Sequence, residues 1–208
     1  MFKEFHLYVI TGEQFYPNKN YLDVIEQAIL GGADIVQLRE KNKSKKELLE
    51  MAKELKALTA KYNVPFIVND HMDIALAVDA DGIHLGQDDL PLEEARKILG
   101  PDKIIGISTH ALEEALEAER NGADYIGVGP VFETKSKVDV VDPVGLEYVQ
   151  EVVANTTIPF VAIGGIKQHN VQQVLDAGAK RICVISAIVG AEDVQEAARA
   201  LSVTIQKS

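Results

Sequence analysis

Four places along the chain carry the same kind of junction, and that repetition constrains the fold more than any other feature. Gly32-Ala33-Asp34-Ile35, Asp81-Gly82-Ile83, Gly122-Ala123-Asp124-Tyr125 and Gly178-Ala179-Lys180-Arg181 each close a helical stretch and open an apolar run. Glycine just past a helix accepts the left-handed turn that ends it, so a strand can begin at once. Between the junctions the apolar spacing alternates between a helical period and short strand-like runs. Strands are predicted near Leu7–Ile10, Ile35–Leu38, Phe66–Val68, Gly82–Leu85, Ile104–Ile107, Tyr125–Val128, Phe160–Ile163 and Ile182–Ile185. Amphipathic helices are predicted at Tyr21–Leu30, Lys45–Lys61, Ile74–Val78, Leu92–Leu99, Leu112–Arg120, Leu146–Val153, Val171–Leu175 and Val194–Ile205.

Eight βα units without a linker or a break in composition imply an α/β chain of one compact domain, residues 1–208, folded as a (β/α)8 TIM barrel. The length of 208 residues sits near the lower bound of about 200 for such barrels, which excludes large inserted domains. An open doubly wound sheet is the alternative. It lacks its Gly-x-Gly-x-x-Gly turn here, because the first strand ends in Thr11-Gly12-Glu13.

The formal charge of -11 argues against a general nucleic-acid or membrane surface. Any phosphate must then be held by a local group of cations. Cys183, the single cysteine, lies inside an apolar run and reads as a small buried hydrophobe. Met1-Phe2-Lys3-Glu4 is too polar to open a signal peptide, and no apolar run approaches membrane-spanning length, so a cytoplasmic location is expected.

Barrel chemistry belongs at the C-terminal ends of the strands. The second strand leaves its apolar run through Gln37, Arg39 and Lys41, which alternation places on one face. Two cations and an amide there suit an anion. Other strand ends offer Asn69 and Asp70, then Gln87, Asp88 and Asp89, then Ser108, Thr109 and His110. Thr134, Lys135, Ser136 and Lys137 follow the sixth strand, Gly164-Gly165 the seventh and Ser186 the eighth. Asp70 and Asp89 follow adjacent strands, so their carboxylates could meet and bind Mg2+, which completes its shell with water and substrate phosphate. The competing assignment makes these aspartates caps of the next helices, Asp88 most of all. Gly164-Gly165 with Ile185-Ser186 matches the recurrent barrel phosphate site, where backbone N–H groups and a helix N-terminus face the anion; the alternative is a tight turn with no ligand.

Several of these segments together resemble one family. Gln37-Leu38-Arg39-Glu40-Lys41, Asn69-Asp70, His84-Leu85-Gly86-Gln87-Asp88-Asp89, Gly106-Ile107-Ser108-Thr109-His110, the run from Gly122 to Phe132, and Ile163-Gly164-Gly165-Ile166 resemble thiamine phosphate synthase from first strand to last helix. That family joins a hydroxymethylpyrimidine diphosphate to a thiazole phosphate and releases pyrophosphate. The resemblance implies that Gln37, Arg39, Lys41, Asn69 and Lys137 hold the pyrimidine diphosphate, with Ser108 beside the reacting ring. It implies Mg2+ as cofactor on Asp70 and Asp89. Thr134, Ser136, Gly165, Ile185 and Ser186 would receive the thiazole phosphate. No residue is expected to act as a nucleophile, and no nucleophile–base pair is expected. Arg39, Ser108 and Lys137 would support the transition state by position and charge.

The loop Glu133-Thr134-Lys135-Ser136-Lys137 departs from the family, which more often has proline first and threonine fourth; Ser136 keeps the hydroxyl. The connection from Glu133 to Pro143, the longest, is expected to act as a lid. Two other functions stay open at this stage. One is a related thiazole tautomerase using His110 as acid and base; the other is a phosphate-ligand sensor without catalysis.

Overall fold

The structure is a computed structural model that describes residues 5–134, 136 and 142–208. Eight short apolar runs, none able to stand alone as a sheet, pair side by side into one closed parallel barrel. The strands are β1 (Leu7–Ile10), β2 (Ile35–Leu38), β3 (Phe66–Asn69), β4 (Gly82–Leu85), β5 (Ile104–Thr109), β6 (Tyr125–Val128), β7 (Phe160–Ile163) and β8 (Ile182–Val184). They pair in chain order, and β8 returns to β1 with Tyr8 opposite Cys183. Pairing is thinnest between β7 and β8, where only Ala162↔Ile182 and Ile163↔Cys183 are in register.

The outer ring consists of α1 (Tyr21–Leu30), α2 (Lys45–Lys61), α3 (Met72–Ala77), α4 (Leu92–Leu99), α5 (Leu112–Arg120), α6 (Gly145–Asn155), α7 (Val171–Asp176), the one-turn α8 (Ser186–Val189) and α9 (Val194–Gln206). A 3-10 turn spans Glu13–Phe15. Caps explain where several helices start. Ser44 and Glu47 form a reciprocal capping box on α2, while Asn20 and Asp193 accept from the first turns of α1 and α9. Among the described residues, no helix is long and apolar enough to cross a membrane.

Two departures from the predicted elements have physical reasons. β5 runs two residues further, to Thr109, because its buried hydroxyl is paired: it donates to the Gly127 carbonyl at 3.0 Å and accepts from Tyr148 at 2.8 Å. β8 stops at Val184, and the next residues turn into α8. Four residues are too few for a helical period to be seen in sequence.

The repeated junctions do more than end helices. Gly32, Gly122 and Gly178 have φ of 112°, 84° and 102°, and Asp79 takes the same left-handed place, φ 51°, before the second junction. Two residues later comes an aspartate that grips the neighbouring strand twice. The N–H groups of Asp34, Asp81 and Asp124 donate to the carbonyls of Leu7, Phe66 and Ile105, each at 2.9 Å. Their carboxylates accept the N–H of those same three residues at 3.0, 2.8 and 2.8 Å. Lys56 and Arg96 back Asp81 and Asp124 with positive charge at 2.7 and 2.6 Å. The fourth junction has Lys180 in the aspartate's place, and the start of β7 is held from α5, where Glu119 accepts from the N–H groups of Thr157 and Ile158.

Candidate active site

Most of the strand-end residues named from sequence line one cavity of about 950 Å³ at the C-terminal mouth, while Thr109 is buried below it. Arg39 and Lys41 leave β2 at one side, with Asn69 and Asp70 beside them at the end of β3. Asp89 and Ser108 follow on the next two strands, and Thr134, Ser136, Gly165, Ile185 and Ser186 line the opposite side. Gln37 lies one layer lower: it is 2 % exposed, and its amide donates to the Tyr8 hydroxyl at 2.7 Å. Lys137 and most of the expected lid lie outside the described residues.

The two aspartates are not helix caps. The residue before α3 is His71 and the residue before α4 is Pro91, and neither helix has a side-chain cap. Asp70 instead holds a left-handed backbone, φ 59°, unusual outside glycine and, like the junction's Asp79, tolerated by aspartate. Its N–H is tied to the His84 carbonyl at 3.0 Å. One carboxylate oxygen of Asp89 accepts the Gly86 N–H at 2.7 Å, closing the turn after β4. Burial pushes the Asp70 carboxyl above its ordinary range, and the charge and hydrogen bond of Asp89 push it further; Lys41 and Arg39 pull it down. Two carboxylates forced together beside two cations fit a small oxygen-seeking cation that brings a phosphate with it. Among the described residues there is no group of three or more acidic, histidine or cysteine ligands, so such an ion would rely on water and ligand oxygen for the rest of its shell.

The opposite side collects hydroxyls. The oxygens of Ser136 and Ser186 lie 3.2 Å apart, and the Ser136 N–H donates to the Thr134 hydroxyl at 3.2 Å. Ser186 and Ala187 open α8, whose first N–H groups point out of its N-terminal end by helix geometry. Gly165, φ 65°, lies against the backbone of Phe132 and Glu133, where any Cβ would collide. That closeness brings the loop carrying Thr134 over the glycine pair. Hydroxyls, backbone N–H groups and glycine make a site for an uncharged cradle around an anion.

Sequence reasoning missed several groups. Lys167 lines the cavity two residues after Gly165, and the cation following a glycine pair was the available signal. Phe15 reaches the cavity from the turn after β1. Buried Glu40 holds that turn by accepting the Glu13 N–H at 3.1 and 3.2 Å. A histidine–serine pair also exists, against expectation: His84 Nε2 lies 2.9 Å from the Ser108 oxygen. His84 and Ser108 sit on neighbouring strands, a relation that only the barrel's register reveals.

The profile of the family described as thiamine monophosphate synthase matches residues 7–188. The chain belongs to that family. A thiamine-phosphate synthase of Halalkalibacterium halodurans is 65% identical over 205 residues, covering 99% of this chain and 97% of its own. One from Shouchella clausii is 64% identical, covering 99% of each. Among solved structures, a thiamine phosphate pyrophosphorylase from Pyrococcus furiosus superposes with a TM-score of 0.88 at 44% identity, covering 97% of this chain and 96% of that one. This member of the thiamine monophosphate synthase family is accordingly a transferase of thiamine biosynthesis with a TIM-barrel fold.

Proposed function

We propose that the protein condenses 4-amino-2-methyl-5-hydroxymethylpyrimidine diphosphate with hydroxyethylthiazole phosphate, giving thiamine phosphate and pyrophosphate, with Mg2+ held by Asp70 and Asp89. The observation that carries this reading is the crowding of those two carboxylates beside Arg39 and Lys41 in one cavity. The bond from the pyrimidine methylene carbon to the diphosphate oxygen breaks, and its electron pair leaves with pyrophosphate. The ring's amino group stabilises the methylene cation, and the thiazole nitrogen closes the new carbon–nitrogen bond.

Such a reaction asks the protein for position and charge rather than for a nucleophile. Arg39 and Lys41, with Asn69 and Lys137, bind the diphosphate. Mg2+ when bound offsets the negative charge that gathers on the departing pyrophosphate. Ser108 sits beside the reacting ring. Thr134, Ser136, Gly165, Ile185 and Ser186 hold the thiazole phosphate across the cavity and so aim the thiazole nitrogen. Incubation with both substrates should release pyrophosphate only when Mg2+ is present; release with the pyrimidine diphosphate alone, at the same rate, would refute the reading.

A second reading has one observation in its favour. His110 Nδ1 lies 2.6 Å from the Gly129 carbonyl, which can only accept, so Nδ1 carries a proton and Nε2 is the nitrogen that bears the lone pair of the neutral ring. His110 lines the cavity, so a thiazole tautomerase could use it as a base. The aspartate pair has no task in that chemistry, which is why it ranks second.

A further inference from the structure

Beneath the mouth, the barrel holds a row of polar side chains where branched apolar ones usually pack. Gln37 on β2 donates to the Tyr8 hydroxyl on β1 at 2.7 Å. The hydroxyls of Tyr8 and Tyr125, on β6, are 2.9 Å apart. Tyr125 is 2.9 Å from Nδ1 of His84, on β4, and His84 Nε2 is 2.9 Å from Ser108. Both tyrosines are fully buried. One strand glycine makes room for the row: a Cβ at Gly106 would run into the Tyr125 ring. Strands gain little from glycine, so its presence at Gly106 marks the Tyr125 ring as built in.

Proton counting gives the row a direction. An amide nitrogen only donates, a tyrosine hydroxyl has one proton to give, and neutral histidine has one N–H. Tyr8 accepts a hydrogen bond from Gln37, and its own buried proton finds its acceptor within the row in the Tyr125 oxygen. Tyr125 in turn donates a hydrogen bond to His84 Nδ1, which accepts it through its lone pair. The proton of the neutral histidine is then on Nε2, which donates to the Ser108 oxygen.

We infer that Gln37, through Tyr8, Tyr125 and His84, fixes Ser108 as a hydroxyl that turns its proton outward to the pyrimidine diphosphate, and that Tyr8, Tyr125 and His84 are positioning residues for the reaction. The inference rests on the proposed function for its substrate, though not for its geometry. Ser108 accepts from below, so its own proton faces the cavity, where charge grows on a departing oxygen. With the row reversed, His84 would take the serine proton and present lone pairs to that anion. The His84–Ser108 pair therefore resembles a nucleophile with its base but runs the other way. Each hydrogen bond in such a row polarises the next, which carries the bias of one buried amide to the mouth.

The test reads the direction before it reads activity. Nitrogen-15 NMR of the ligand-free protein, with His84 assigned by its loss in His84→Gln, should show a protonated Nε2 and a bare Nδ1. In Tyr8→Phe, which keeps the ring but cuts the row, the two tautomers should mix. Gln37→Glu, which offers Tyr8 only acceptors, should move the proton to Nδ1. Tyr8→Phe should also lower kcat for pyrophosphate release by roughly 10–10²-fold with KM nearly unchanged, and should have no further effect in a Ser108→Ala background. A protonated Nδ1 in the unsubstituted protein would overturn the inference. So would an equal kcat loss from Tyr8→Phe with and without Ser108. If no coupling activity is found while the tautomer is as stated, the proposed function fails and the row stands.

Discussion

The two rims of the barrel use aspartate for opposite purposes. At the N-terminal rim, Asp34, Asp81 and Asp124 each exchange two hydrogen bonds with one residue of the preceding strand. Their acceptor capacity is spent on the chain itself. At the mouth, Asp70 and Asp89 face one another, and their mutual repulsion helps to push the Asp70 carboxyl up. One rim pairs its carboxylates with strand N–H groups; the other sets two carboxylates against each other, with Lys41 and Arg39 as a partial counterweight among the described residues. A carboxylate that is satisfied stabilises the fold, and one that is left in conflict marks where an outside ligand belongs.

The largest effect that can test this contrast is on rate. Asp70→Asn or Asp89→Asn keeps shape but removes a negative ligand, and should slow pyrophosphate release by roughly 10²–10³-fold while leaving the melting temperature level or raised. A variant that melts early and still turns over would invert the comparison. Next comes the opposite rim. Asp81→Ala and Asp124→Ala leave a strand N–H and a cation without their carboxylate, at a cost of about 1–3 kcal/mol. The melting temperature should fall by about 2–10 °C, with kcat at 25 °C unaltered.

His110→Ala should be milder at the mouth, within about tenfold in rate, since it removes a neighbour rather than a charge at the leaving group. Coupling lost in His110→Ala, with both aspartate variants active and indifferent to chelator, would favour the tautomerase. The smallest effect separates two aspartates of the same rim by sign. Burial raises the Asp34 carboxyl despite its bonds from His6 and Leu7, so the folded chain binds that proton more tightly than the unfolded one. Stability should therefore fall as pH rises from the ordinary carboxylate range through the raised value. Asp79, lowered by its hydrogen bond from Lys103, contributes stability above the ordinary range that is lost as pH falls through its depressed value. Denaturant titrations of Asp34→Asn and Asp79→Asn should change the pH slope in opposite directions; slopes of one sign would break the distinction.

Much of this was legible in the chain because period and punctuation are local. The Gly-Ala-Asp junctions and the apolar runs placed the strands, and strand order alone put Asp70 and Asp89 at one mouth. What escaped depended on distance in sequence. His84 and Ser108 are 24 residues apart and Tyr8 and Tyr125 are 117 apart, so no spacing rule links them. The grip of Asp34 on Leu7 was hidden for the same reason, although its aspartate stood in plain view within the repeat. The helix α8 was lost because a single turn leaves no periodic trace.

The fourth junction has a consequence of its own. With Lys180 in the aspartate's position and only two residues in register, β7 and β8 form the least fastened joint of the ring. Gly165 follows one of these strands and Ser186 the other. A phosphate gripped by both would act as a rivet across the top of the joint whose base has no aspartate latch. The substrate then completes the hoop it enters, and amide exchange along β7 and β8 is where its arrival would be felt first.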